Sequence, residues 1–346
     1  MAKRPLGNTG LEVPALVFGT SGLGNLYTAM TVEQKTAIVG ELLKQIESPA
    51  VLDSAGKYGA GLALESIGNA LRELKVDPND VVISNKLAWK RVPLTTPEPT
   101  FEPGAWVDLE HDAEQHISYQ GILDCWEQGN QLLGEPYTSQ LVSVHDPDEY
   151  FAAATSAEDR EKRFQDVVDA YRALNELKDQ GKAAAVGIGA KDWRVIQEID
   201  AAVKLDWVMI ANSLTIMRHP PELLAFLDSL AAKGVGIINS AVFHGGFLVG
   251  GTHFDYRLVT EETEGDRKLL DYRKRLNALC DKHGIKPALA CVQFAMSPPG
   301  VASLAVSTSS PSRIADNIAL VETLVPNDFW SEAKDAGLID SEYQHL

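Results

Sequence analysis

An acid, a phenol, an amine and an imidazole stand at or just past the ends of three short apolar runs. They are Asp53 and Tyr58 in AVLDSAGKYG, Lys86 in VVISNK and His145 in LVSVHDP. A phenol titrates near pH ~10, so alone it is a poor base at neutrality. A nearby ammonium favours the phenolate and lowers that value, and a carboxylate paired with the ammonium holds it in place. Tyr58 follows Asp53 past the Ser54-Ala55-Gly56 bend, so both can face one cavity. Lys86 and His145 end the next two runs, and an imidazole there can hydrogen-bond a substrate oxygen. The set suits moving a proton on or off an oxygen at a carbonyl–alcohol carbon. Each residue also has a plain structural role, as a turn cap, a surface lysine or a strand end. Their joint placement at three successive strand ends favours a site.

Such a site needs strands whose ends converge. Strand-like runs lie at 15–18, 51–53, 81–86, 141–145, 184–189, 207–210, 236–239 and 302–307. They are short, apolar on both faces and bounded by Gly, Asp or Asn, as buried parallel strands are. Segments with helical apolar spacing separate them: 32–46, 62–74, 121–133, 164–177, 193–203, 221–232, 267–283 with 287–296, and 312–324. Eight strands each followed by a helix predict an α/β fold, a (β/α)8 TIM barrel. Helix-to-strand connections are short, whereas three strand-to-helix connections, 87–119, 146–163 and 243–266, are long and would share the C-terminal rim. A doubly wound dinucleotide-binding domain would want GxGxxG after the first strand, and GTSGLGNLYTAMT has the wrong spacing.

Bulk properties narrow the function. The 346 residues are 45% hydrophobic and 23% charged, enough for a sizeable core. With 31 Lys plus Arg against 48 Asp plus Glu, the net charge is -17. That surface repels phosphate backbones and anionic lipid, and no basic patch relieves it, so neither nucleic acid nor membrane is an expected partner. No apolar run approaches the ~20 residues of a membrane span, and the N-terminus lacks the apolar stretch of a signal peptide. Three scattered cysteines without CxxC read as inert thiols of a cytoplasmic protein. The eight histidines show no metal spacing, so no metal is expected.

The motifs resemble those of the aldo-keto reductase family. LDSAGKYG followed by ESIGNAL is similar to its D-x4-Y-G and E…G-x-A-L signature, and SNK and SVHDPD match its lysine and histidine. SPSRIADNI resembles its late-strand motif, and RPLGNTGLEVPALVFGT resembles its N-terminal β-hairpin and first strand. The resemblance implies one barrel domain over 1–346, with Asp53, Tyr58, Lys86 and His145 catalytic. GILDCWEQG and IINSAVFHGGFLVGG are similar to a sugar-oxidising branch, the D-threo-aldose (L-fucose) dehydrogenases, with pyridoxal dehydrogenases nearby. Such enzymes oxidise an anomeric hydroxyl to a lactone with NAD or NADP. Tyr58 would be the base, Lys86 would stabilise its phenolate and His145 would orient the oxygen.

For the cofactor, the resemblance implicates Ser307, Thr308, Arg313, Asp316 and Asn317, with a helix start near Ser312. Gly19 and Thr20 would line the nicotinamide ribose, and the loop from Ser240 through Val242 would close over the pyrophosphate. There are departures. Gly189-Ala190 stand where many members carry Ser-Asn, and Asn239, with Phe243 nearby, stands where an aromatic stacks on nicotinamide. Ser307 stands where NADPH users place a lysine, which favours NAD. For substrate, the rim offers Tyr27, Trp89 and Trp106, with Trp89 favoured for its closeness to Lys86, and His111 and His116 behind them. A monomer or homodimer acting on a small sugar or aldehyde is expected. The alternatives are an NADPH-dependent aldehyde reductase, a pyridoxal dehydrogenase, a nicotinamide-binding regulatory subunit and a Schiff-base aldolase using Lys86.

Overall fold

The computed structural model describes residues 3–255 and 257–346. The eight apolar runs form eight parallel strands: β1 (Leu16–Gly19), β2 (Ala50–Ala55), β3 (Val81–Leu87), β4 (Leu141–His145), β5 (Ala185–Ala190), β6 (Trp207–Ala211), β7 (Gly236–Ser240) and β8 (Val301–Ser307). They pair in sequence order, and β8 closes on β1 through Leu304↔Leu16 to Ser307↔Gly19, making a closed barrel. The helices are α1 (Val32–Gln45), α2 (Leu62–Glu73), α3 (Tyr119–Leu133), α4 (Pro147–Ala152), α5 (Ala157–Asp179), α6 (Trp193–Asp200), α7 (Pro221–Ala232), α8 (Glu264–Lys282), α9 (Pro287–Ala295), α10 (Ile314–Glu322) and α11 (Asn327–Asp335). None is long and apolar enough to cross a membrane.

Strand alternation explains how the barrel carries chemistry. Successive side chains point to opposite faces, so every second residue of a strand enters the barrel. The inward rows start apolar and end polar. Val51 precedes Asp53, Val82 precedes Ser84 and Lys86, and Leu141 precedes Ser143 and His145. The alternate rows, such as Leu52, Ile83, Val142 and Val144, pack outward against helices.

The barrel floor is closed. Strands Lys3–Pro5 and Glu12–Pro14 form the expected antiparallel hairpin. Its Leu6 and Val13 bury among Val17, Val51, Trp207 and Met209, each contributing roughly 1.5–3 kcal/mol. Trp207 is fully buried in the interior, and Gly187 on the neighbouring strand makes room for it, because a Cβ there would lie 2.3 Å from the indole. Only the C-terminal end of the barrel is left for a site.

The three long loops leave that end and carry structure of their own. The first holds a hairpin, Trp89–Pro93 with Glu114 opposite Lys90 in His111–Gln115. The second holds α4, and the third a short helical turn, Phe247–Val249, and the pair His253–Phe254 with Arg257–Leu258. Helix boundaries differ from expectation at several ends, including the start of α8 at Glu264. α5 begins at Ala157, where the Ser156 side chain accepts from the Asp159 amide, ahead of any apolar periodicity. α6 ends at Asp200, and a 3-10 turn, Pro311–Arg313, precedes α10. Cys125, Cys280 and Cys291 are free and buried, and burial pushes the thiols of Cys125 and Cys280 up to about 12.

Candidate active site

Asp53 on β2 lies opposite Ser84 on β3, with Lys86 two residues further along β3, and both charged side chains are almost wholly buried. Lys86 Nζ lies 2.5 Å from Asp53 Oδ2 and donates to the Ser54 carbonyl at 3.2 Å. Ser84 Oγ donates to the other carboxylate oxygen at 3.0 Å. Both charges are therefore matched, which a buried pair requires. Gly189 gives the lysine its room: a Cβ there would come within 2.8 Å of Lys86 Cδ. The departure from Ser-Asn thus has a steric meaning in this chain.

Tyr58 is placed by the turn from β2 into α2, with its amide donating to the Ala55 carbonyl at 3.1 Å. Its ring centroid is 4.7 Å from Lys86 Nζ and 5.7 Å from the His145 ring, which it meets edge-on at 83°. The four residues named from sequence thus form one cluster at the open end. Their electrostatics differ from expectation in one respect. Burial, then Asp53, Asp146 and Glu102, push the Tyr58 phenol well above its ordinary value, with Lys57 opposing them. Lys86 is not among the main groups that set it, and the phenol is protonated at pH 7. Burial also pushes His145 well below its ordinary value, against Asp146, so the imidazole is neutral at pH 7. Its Nδ1 is buried with no hydrogen-bond partner among the described residues.

Sequence reasoning missed Lys57. Its side chain is 2% exposed, yet it reads as an ordinary surface lysine beside a tyrosine. Its ammonium reaches Asp146 Oδ2 at 3.0 Å, Glu102 Oε1 at 2.8 Å and Glu149 Oε2 at 2.8 Å, and sits 4.8 Å from the Trp89 ring centre. Burial pushes it down, but the three carboxylates outweigh burial and hold it above its ordinary value. No local pattern signals this, since its partners lie on distant loops.

The predicted cofactor residues divide. Gly19 pairs with Asp53 on one side and Ser307 on the other, at the mouth. Ser307, Arg313 and Asp316 are exposed, and Asn317 is half-buried on the first turn of α10. Thr308 is buried and closes a local turn with Ser310, its Oγ1 accepting from the Ser310 amide at 3.1 Å. Thr20 is wholly buried, and both its amide and its hydroxyl donate to the Asp53 carbonyl at 2.9 Å, so it braces the backbone. Ser240 donates to the Ile210 carbonyl at 3.3 Å, and Val242 packs in the core with Leu16 and Phe18. Asn239, at the position of the family's aromatic, is wholly buried and ties the carbonyls of Leu214 and Ala295. Asn212, just past β6, was not singled out; its side-chain oxygen is buried with no partner among the described residues.

The aromatic rim also differs from expectation. Trp106, not Trp89, meets the phenol: its ring centroid is 6.0 Å from that of Tyr58. Trp89, at the start of its hairpin, faces Lys57 and Phe101. Tyr27 is half-exposed and stacks on His253 at 6.5 Å, and its amide donates to the Ala105 carbonyl, so three loops meet there. His111 lines a separate groove between α1 and α2, and His116 is exposed beside Glu114. No cluster of three or more His, Cys, Asp or Glu among the described residues could hold a metal ion.

Comparison with known proteins agrees with this architecture. Pyridoxal 4-dehydrogenase of Microbacterium luteolum is 28% identical over 353 residues, covering 97% of this chain and 98% of that one. D-threo-aldose 1-dehydrogenase of a Pseudomonas species is 25% identical over 343 residues, covering 95% and 96%. The solved holo form of an aldo-keto reductase from Bacillus halodurans superposes with a TM-score of 0.70 at 20% identity, covering 100% and 99%, a likeness of fold. The sequence pattern of the Aldo/keto reductase family matches residues 15–337, and with so much of its length matched the chain belongs to that family of oxidoreductases.

Proposed function

We propose that this protein is an NAD(P)-dependent dehydrogenase that oxidises the C–OH carbon of a cyclic hemiacetal, such as the anomeric carbon of an aldose, to a lactone. The observation that carries the reading is the cluster of Tyr58, Lys86, Asp53 and neutral His145 at the open end of a barrel closed elsewhere. His145 hydrogen-bonds the hydroxyl oxygen and fixes it beside the phenol. Tyr58 exchanges the proton of that oxygen, and Lys86, held by Asp53, limits where the ring can sit. An oxidised nicotinamide, when bound, supplies the hydride acceptor and a positive charge that favours the phenolate.

The residues present fit such a cofactor. Asn212 offers a buried oxygen just past β6 that has no partner among the described residues, as a carboxamide N–H would need, and Ser307 and Arg313 are exposed. Ser307 brings no cation to a 2′-phosphate, which argues for NAD, while Arg313 leaves NADP within reach. Pyridoxal also closes to a cyclic hemiacetal, so the 28% identical relative makes it the second substrate to try.

The test is turnover of L-fucose, D-arabinose, L-galactose and pyridoxal with each dinucleotide, followed at about 340 nm, in wild type and Tyr58→Phe. Loss of roughly 10²–10⁴-fold in kcat is expected for the variant. Wild-type rates in Tyr58→Phe would refute the mechanism, and a strong preference for NADP would refute the cofactor reading.

A further inference from the structure

Lys57 neighbours the phenol in sequence but is not part of the proton-transfer cluster. Taking its ammonium out of water is costly, and three carboxylates from two different loops are gathered to compensate. Asp146 and Glu149 come from the loop after β4 and are shared with Lys191, which makes that side a rigid ionic block. Glu102 comes from the loop between Pro93 and His111, where the chain has no regular structure. Its carboxylate is divided, with Oε1 on Lys57 and Oε2 accepting from Trp106 Nε1, each at 2.8 Å. Trp106 then lies against both Phe101 and Tyr58. A continuous polar path thus runs from the block, through Lys57 and Glu102, to the Trp106 indole beside the phenol.

We propose that Lys57 is a positioning residue that fixes Trp106, through Glu102, as the wall of the substrate site. The direct contacts among Tyr58, Lys86, Asp53 and His145 do not include it. A fixed aromatic face suits the C–H patches of a cyclic sugar, and holding it in place beforehand removes an ordering cost from binding. Loosening the wall therefore weakens substrate binding more than it affects the chemical step, so the effect falls mainly on KM. The kinetic part rests on the function proposed above; the structural part stands alone.

The experiment combines hydrogen exchange and kinetics on Lys57→Met, Lys57→Arg, Glu102→Ala, Trp106→Phe and the double variant Glu102→Ala/Trp106→Phe. Amide exchange across residues 102–107 is expected to quicken by about ten-fold in Lys57→Met and Glu102→Ala, with Lys57→Arg closer to wild type. KM is expected to rise about ten-fold in Glu102→Ala with a smaller change in kcat, and the double variant to be no worse than the poorer single one. Unchanged exchange in Glu102→Ala, a half-buried rim position that spares the fold if Lys57→Met does not, would overturn the proposal. So would KM effects that multiply, or a fall in kcat at constant KM. If wild type turns over no hemiacetal, the functional reading fails by itself and the exchange data still decide the positioning role.

Discussion

Replacing Asp53 by Asn tests the electrostatic centre of the site. Lys86 Nζ lies 2.5 Å from the carboxylate, and both side chains are almost fully buried. At an effective dielectric of about 20 the attraction at that distance is roughly 7 kcal/mol, most of which offsets the loss of water around two ions. Removing one partner keeps the desolvation of the other and forfeits the attraction, a net loss of about 3–5 kcal/mol. Asn also offers one acceptor oxygen where Ser84 and Lys86 now use two. Against a typical total of about 5–15 kcal/mol, the variant should fold but unfold at much lower urea. Equilibrium urea unfolding followed by tryptophan fluorescence measures it, with the slope against denaturant unchanged. The double variant Asp53→Asn/Lys86→Met removes the orphaned charge and should regain at least half of the loss. A single-variant cost below about 1 kcal/mol, or a double variant less stable than the single, would refute the reasoning.

Two further outcomes follow from packing and titration. Gly187→Ala drives a methyl into the Trp207 indole and should cost about 1–3 kcal/mol or more in urea unfolding; an unchanged midpoint would mean that the barrel interior yields there. His145 is held below its unfolded value of about 6.5, so its contribution to stability is present above that pH and is lost as pH falls toward the folded value. Wild type should therefore lose up to about 1.4 kcal/mol per pH unit more than His145→Gln below pH ~6.5, and parallel profiles would contradict a neutral buried imidazole.

The barrel was legible because each strand announces itself twice. Runs such as LVSVH are apolar on both faces and stop at an Asp or Gly, and eight of them alternate with helical spacing. Asp53, Lys86 and His145 were readable because strand alternation aims the last inward residue at the mouth. The hairpin Trp89–Pro93 with His111–Gln115 was not, since its half-exposed strands carry Lys, Arg, Asp and Glu in place of an apolar alternation. That hairpin reversed the order of Trp89 and Trp106, because closeness in sequence to Lys86 says nothing about where a folded-back strand points. The first turns of α5, AEDREKR, contain no apolar residue beyond Ala157, so periodicity cannot find them. Thr20, Ser240 and Val242 sit at the right strand ends, yet their side chains are engaged by backbone or core, a distinction only the third dimension makes.

The hairpin beneath the barrel has a bearing on how the chain is made. Leu6 settles against Gly236, the Asn8 amide donates to the Gly234 carbonyl, and β1 takes its partner from β8. The hairpin and the first strand therefore complete their contacts only with segments more than two hundred positions further along the sequence. Such distant pairing slows folding and exposes unfinished edges meanwhile. Without β7 and β8 the base would lack Gly234 and Gly236, and β1 would keep β2 but lose its second partner, so the barrel is complete only when its most distant segments meet.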